Sequence, residues 1–269
     1  MTRIALLLEY DGATFHGWQL QPGVPTVQAC LEESLSALAG EPIRVHAAGR
    51  TDAGVHASGQ VVHFDTQAQR PITAWTRGTN ARLPPQIAVL AAQIVRPDFH
   101  ARNSAMARRY RYLLLNRPYR PALGQGRVGW LHTPLDVEAM RQGASYLIGT
   151  HDFSSFRAAQ CQAHSPIKTL HILTISRCAG VIRFDFAANA FLHHMVRNIV
   201  GALLVVGQGK RSASWVAQLL AARDRRHAPA TFAPDGLYLS GVDYPAPFQW
   251  PDHRPGEADD LLEQVLASR

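Results

Sequence analysis

Residues 49–56, Gly-Arg-Thr-Asp-Ala-Gly-Val-His, set one carboxylate in a glycine-bounded turn beside an arginine. Glycine at both ends lets the backbone enter positive φ and lets a second molecule come close. Such a run presents its aspartate instead of packing it. Arg50, two residues from Asp52, favours the ionised carboxylate. An ionised aspartate in a shaped cleft serves as nucleophile, general base or metal ligand. The competing account is a solvated loop whose aspartate caps a turn. The motif alone leaves these alternatives open.

Four further segments carry chemistry-bearing side chains. In Arg108-Arg109-Tyr110-Arg111-Tyr112 a strand would place the tyrosines on one face and Arg109 and Arg111 on the other. A phenol stacks on an unpaired base while arginines hold phosphates; the plainer account makes the tyrosines core and the arginines a solvated face. In 191–201 the apolar positions Leu192, Val196, Ile199 and Val200 form a helix face bordered by His193, His194 and Arg197. An arginine there needs an anionic partner, because an unpaired buried charge is expensive; an ordinary salt bridge and Asp52 are the two options. Phe153 to Gln162 is a polar loop. Gly236-Leu237-Tyr238-Leu239 reads as a closing strand, either plain core or an apolar wall, through Leu237, for a flat ring.

Composition narrows the classes. The formal net charge of +7 favours a polyanionic partner, nucleic acid before membrane. Its three cysteines, Cys30, Cys161 and Cys178, form no CxxC pair and no disulfide framework, so a reducing cytoplasm is expected. The 13 histidines are scattered, without HExxH, and His193 and His194 would point about 100° apart on a helix, so no metal is expected. The most apolar helical candidate, Phe191 to Val206, carries His193, His194 and Arg197, so no membrane span is expected.

These side chains must be positioned by an alternation of strands and helices. Strands are expected at Ile4–Tyr10, Ile43–Ala47, Gln60–Phe64 and Ile87–Val95. Helices are expected from a Thr26 cap to Leu38 and at Ile72–Asn80. A second series follows, with strands around Arg109–Leu114, Thr169–Ser176, Val181–Phe186 and Gly236–Val242. Its helices are expected at Asp136–Leu147, Leu192–Val206 and from a Ser212 cap to Leu220. The pattern predicts an α+β fold of two ferredoxin-like (RRM-like) units, 1–105 and 106–245, sharing a mainly antiparallel sheet with helices on one face. Residues 246–269 read as a C-terminal tail to which no chemistry is assigned.

Taken in order, GRTDAGVHA, VVHFDT, FHAR, ARRYRY, DFSSFRAAQC, FLHHMVRNIVG and GLYL–VDYP closely resemble the tRNA pseudouridine synthase A family. The resemblance runs from Tyr10 to Pro245, and is poor in motifs only from about Arg117 to Arg141 and after Pro245. It implies isomerisation of uridine to pseudouridine at positions 38, 39 and 40, in the anticodon arm of tRNA. Asp52 would be the essential catalytic residue, Arg50 would displace and hold the target nucleotide, Tyr110 would contact the uracil, and Arg197 would pair with the aspartate. Arg109, Arg111, His56 and Leu237 join the expected substrate-binding set. The resemblance also implies no cofactor and a homodimer in which one tRNA touches both subunits.

The residue types suit that chemistry. The reaction breaks N1–C1′, turns the uracil and joins C5 to C1′, with no donor and no redox change. A stacked base is out of reach, so the uridine must be extruded at a cost of a few kcal/mol. A non-catalytic RNA-binding protein of two RRM-like units explains the charge and the Tyr–Arg strand, yet not an aspartate in an electropositive cleft. An aspartyl phosphotransferase usually has a second carboxylate two residues on to hold magnesium; here that position is Gly54.

Overall fold

The computed structural model describes residues 1–250 together with Asp260 and Gln264. They fall into two compact units, residues 1–106 with 238–250, and residues 107–237 with Asp260 and Gln264. Both units are α+β with mainly antiparallel strands, as expected. Of the tail expected at 246–269, residues 251–259, 261–263 and 265–269 lie outside the described residues.

In the first unit, β1 (Thr2–Tyr10) lies between β3 (His56–Thr66) and β4 (Ile87–Val95), antiparallel to both. With neighbours on both edges and side chains covered on both faces, Ile4 to Leu8 form an unbroken buried run. Helix α1 (Val27–Ala39) starts where expected: Thr26 Oγ1 accepts the Ala29 N–H, and Gly40 ends it at φ 74°. Its Leu31 and Leu35 are fully buried. The helix expected at Ile72–Asn80 is instead one π-turn, Ala74–Gly78, which presses Trp75 edge-on against Phe64.

The free edge of β3 is shared by two short partners. Strand β2 is only His46–Ala47, and pairs antiparallel with His63 and Val62. The other end of that edge takes β10 (Leu237–Asp243) in parallel, Tyr238 opposite His56 and Leu239 opposite Ala57. Gly59 permits this approach, since a Cβ there would lie 2.6 Å from Ser240 O. Residues 48–55 therefore cross from β2 into β3 where the edge partner changes. Residues 238–245, grouped with the second unit on sequence pattern, pack with the first; the parallel partner of a strand is remote in sequence and leaves no local signal.

In the second unit the order is β5 (Ala107–Asn116), β9 (Val181–Ala188), β8 (Ile167–Cys178), β7 (Gly149–Asp152), all antiparallel neighbours. The short β6 (Gly129–Leu131) adds to β5 in parallel. Helix α2 (Val137–Ser145) begins at the Asp136 cap, α3 spans Met195–Gly207 and α4 spans Trp215–Ala222. Gly207 lets α3 meet α2: a Cβ there would be 2.4 Å from the Met140 sulfur. Helix α3 starts three residues later than its apolar spacing predicts, because His194 takes φ 62°. No helix among the described residues is long and apolar enough to cross a membrane.

Candidate active site

In the first unit the chain around Asp52 is tied down at every second or third residue. The Gln60 amide donates to Gly49 O at 2.7 Å. Trp18 N–H donates to Thr51 O at 3.0 Å. The Tyr10 and Thr51 hydroxyls are 2.9 Å apart. Val55 N–H closes a turn on Asp52 O at 3.1 Å, and Gly54 supplies the positive φ of 77° that this turn requires. Asp52 is left half-buried and Arg50 exposed. A carboxylate on so constrained a backbone is aimed, with little backbone freedom left to reorganise.

Two glycines of the preceding loop set the clearance. Gly17, at φ 84°, would place a Cβ 2.7 Å from Thr51 O and 3.0 Å from Asp52 C. At Gly12 a Cβ would be 2.0 Å from Val55 O. The two loops are in van der Waals contact, and any side chain at either position pushes the Asp52 segment out. His56, expected to bind substrate, is 1% exposed. Its Nδ1 accepts the Gly12 N–H at 3.0 Å and its ring stacks on Tyr238 with centroids 4.7 Å apart. It braces the two loops from beneath.

In the second unit the Tyr–Arg strand is β5. Tyr112 is core: 0% exposed, it donates its hydroxyl to Ala233 O at 2.9 Å. Burial, with Asp235 nearby, pushes its phenol well above the usual range, against an opposing pull from Arg197. Tyr110, one pleat along the same face, is half-buried and meets Phe191 edge to face at 5.0 Å. The arginines differ too. Arg109 is exposed. Arg111, expected to hold phosphate, instead donates to Asp185 at 2.8 Å across the β5–β9 ladder, and Arg183 holds the other oxygen of that carboxylate at 2.6 Å.

Arg197 lies in the first turn of α3 and donates through Nε to Phe232 O at 2.8 Å. The left-handed His194 just before it has its ring 4.0 Å from that of His193. A non-glycine residue in this region carries backbone strain, which accumulates at functional sites. Leu237 is buried at the start of β10. Gly236 before it is packed so closely that a Cβ would be 2.1 Å from Leu113 O. The basic cluster at 223–226 is engaged locally: Arg225 donates to Asn198 and Thr231, and Arg226 to Asp224.

The residues that hold Asp52 in place were not singled out from sequence: Tyr10, Gly12, Gly17, Trp18 and Gln60. The run Tyr10-Asp11-Gly12 to Gly17-Trp18, with its two glycines and three large aromatics, is the signal that marks a second loop beside the first.

A family model described as tRNA pseudouridine synthase matches residues 7–103 and 144–245. Among curated relatives, the chain is 60% identical over 250 residues to a protein named tRNA pseudouridine synthase A from Chromobacterium violaceum, covering 93% of this chain and 95% of that one. Proteins of the same name from Dechloromonas aromatica and Methylobacillus flagellatus are 54% and 57% identical, over 98% and 90% of this chain and 99% and 93% of theirs. The unmatched stretch 104–143 contains the motif-poor segment from Arg117 to Arg141.

Proposed function

The chain belongs to the tRNA pseudouridine synthase family, and we propose that it isomerises uridines 38, 39 and 40 of the anticodon arm, with Asp52 as the reacting carboxylate. It is an isomerase acting on tRNA. The observation that supports the role of Asp52 is its mounting: a half-buried carboxylate on a backbone fixed at Gly49, Thr51, Asp52 and Gly54.

The steps follow from the bonds that change. The target uridine leaves the stack, a cost offset by the cationic surface and by the exposed Arg50. Asp52 acts as nucleophile or base while N1–C1′ breaks. The uracil turns, C5 bonds to C1′, and the C5 proton is lost while N1 gains one. Tyr110 contacts the ring, and Arg197 is the cation that the family resemblance pairs with the carboxylate. Arg109 contacts phosphate. The enzyme works without a cofactor, as a homodimer, in the cytoplasm.

The test is tritium release from unmodified tRNA labelled at uridine C5. Wild-type protein is expected to release tritium with no added cofactor. Asp52→Asn keeps shape and most charge, so it should bind tRNA and release none; activity within about tenfold of wild type would remove Asp52 from the chemistry. Substrates with uridine only at 38, 39 or 40 test the positions, and release from other uridines alone would refute them.

A further inference from the structure

Taking Asp52 as the reacting group, we infer that Tyr10, Thr51 and Gln60 form a buried positioning device for it. Tyr10 ends β1 and Gln60 lies within β3; they are 4% and 0% exposed. The Gln60 amide nitrogen donates to Gly49 O at 2.7 Å and lies 3.5 Å from the Tyr10 oxygen. The Tyr10 oxygen is in turn 2.9 Å from Thr51 Oγ1. The Gln60 carbonyl accepts the Val61 N–H at 3.2 Å. The network thus starts on two adjacent strands of the sheet and ends on the residues flanking Arg50 and preceding Asp52.

Stability alone does not call for such a network. Burying a phenol, an amide and a hydroxyl costs free energy unless each is satisfied, and apolar side chains of the same size would fill the space. What the polar atoms add is direction. Residues 48–55 have only a partial ladder, so their orientation relative to the sheet depends on these side chains and on Trp18. Tyr10 suits a fixed strut: burial pushes its phenol up to about 12, so it keeps its proton across the working range. A misplacement of about 1 Å at a reacting group costs on the order of a hundredfold in rate. Tyr10, Thr51 and Gln60 therefore act through Asp52 and touch no substrate.

The experiment measures single-turnover rate, tRNA affinity and thermal stability for Tyr10→Phe, Thr51→Val, their double variant and Thr51→Ser. Tyr10→Phe keeps the ring, which sits 6.0 Å from that of Trp18, and removes only the hydroxyl. Each of the first two is expected to lower the rate by about tenfold or more while tRNA affinity stays within about twofold. Because both remove the same bond, the double variant should be no slower than the slower single one. Thr51→Ser should restore the rate to within about twofold, and the shape of the pH–rate profile should not change. Rates for Tyr10→Phe and Thr51→Val within about twofold of wild type would overturn the inference, as would losses matched entirely by a loss of folded protein. If Tyr10→Phe fails to fold, Thr51→Val against Thr51→Ser decides by the same criteria. An active Asp52→Asn would defeat the underlying role of Asp52; an inactive Asp52→Asn beside a fully active Tyr10→Phe defeats only the positioning device.

Discussion

Tyr110 and Tyr112 stand two positions apart on β5 and should fail in opposite ways. Tyr112→Phe leaves Ala233 O without its buried donor and is expected to cost about 1 kcal/mol of stability, read by denaturant titration, with tRNA turnover kept in the folded fraction. In the proposed reaction the Tyr110 hydroxyl bonds the extruded base or relays the C5 proton, so Tyr110→Phe should lose most single-turnover activity. Tyr110→Leu, which also loses the ring, should be inactive. An active Tyr110→Phe with an inactive Tyr110→Leu would reduce the role to stacking. Arg197 already spends its Nε on Phe232 O, which aims the rest of the guanidinium. Arg197→Lys is therefore expected to rescue Arg197→Ala poorly, since an ammonium cannot hold that carbonyl and a carboxylate with a planar fork. Both variants should keep tRNA affinity while single-turnover rate collapses.

At the scale of elements, β3 does two jobs. Its first residue, His56, supports the Asp52 turn, and His63 further along sits in a histidine cluster. The His63 ring stacks on His46 at 5.0 Å and meets His100 edge-on at 4.6 Å. His63 is 2% exposed and its Nδ1 accepts the Ala101 N–H at 3.1 Å. Burial first, then His100, His46 and Arg3, push it down to about 4, with Asp65 opposing. The unfolded chain takes up this proton near the ordinary histidine value of about 6.5, before the folded protein does. Stability from this site is therefore present at neutral pH and declines as pH falls from about 6.5 through about 4. His63→Asn keeps an acceptor for Ala101 and cannot titrate, so it should flatten the stability–pH curve across that window; an unchanged slope would exclude His63 as its source.

At the scale of the whole molecule, the net charge of +7 predicts tRNA binding that weakens steeply with salt. Not every arginine contributes. Arg109 is exposed, so Arg109→Ala should reduce the magnitude of the salt slope by about one. Arg111 is committed to Asp185, so Arg111→Ala should leave the slope unchanged and lower stability instead, because it removes one of the two arginines that hold this partly buried carboxylate. Arg225, whose guanidinium bonds Asn198 and Thr231, belongs with Arg111 in this respect. Equal slope changes for Arg109→Ala and Arg111→Ala would contradict the distinction.

What was legible in the sequence is what neighbouring residues settle among themselves. The Thr26 cap, the alternation in β5 and the glycine-bounded turn at Asp52 all rest on interactions spanning a few residues. The order of motifs sufficed for the family. The tertiary structure decided the pairings between distant residues. The Tyr10–Thr51 bond spans 41 positions and the Arg111–Asp185 pair spans 74. Whether an arginine on a strand faces phosphate or a cross-strand carboxylate depends on register, and register depends on which strands become neighbours. The same holds for β10, whose parallel partner β3 lies far back in the chain, and for His56, which reads as a polar residue of an open loop until Tyr238 covers it. Local propensity carries no record of strand order, because that order is set by burying the apolar faces of the whole sheet at once.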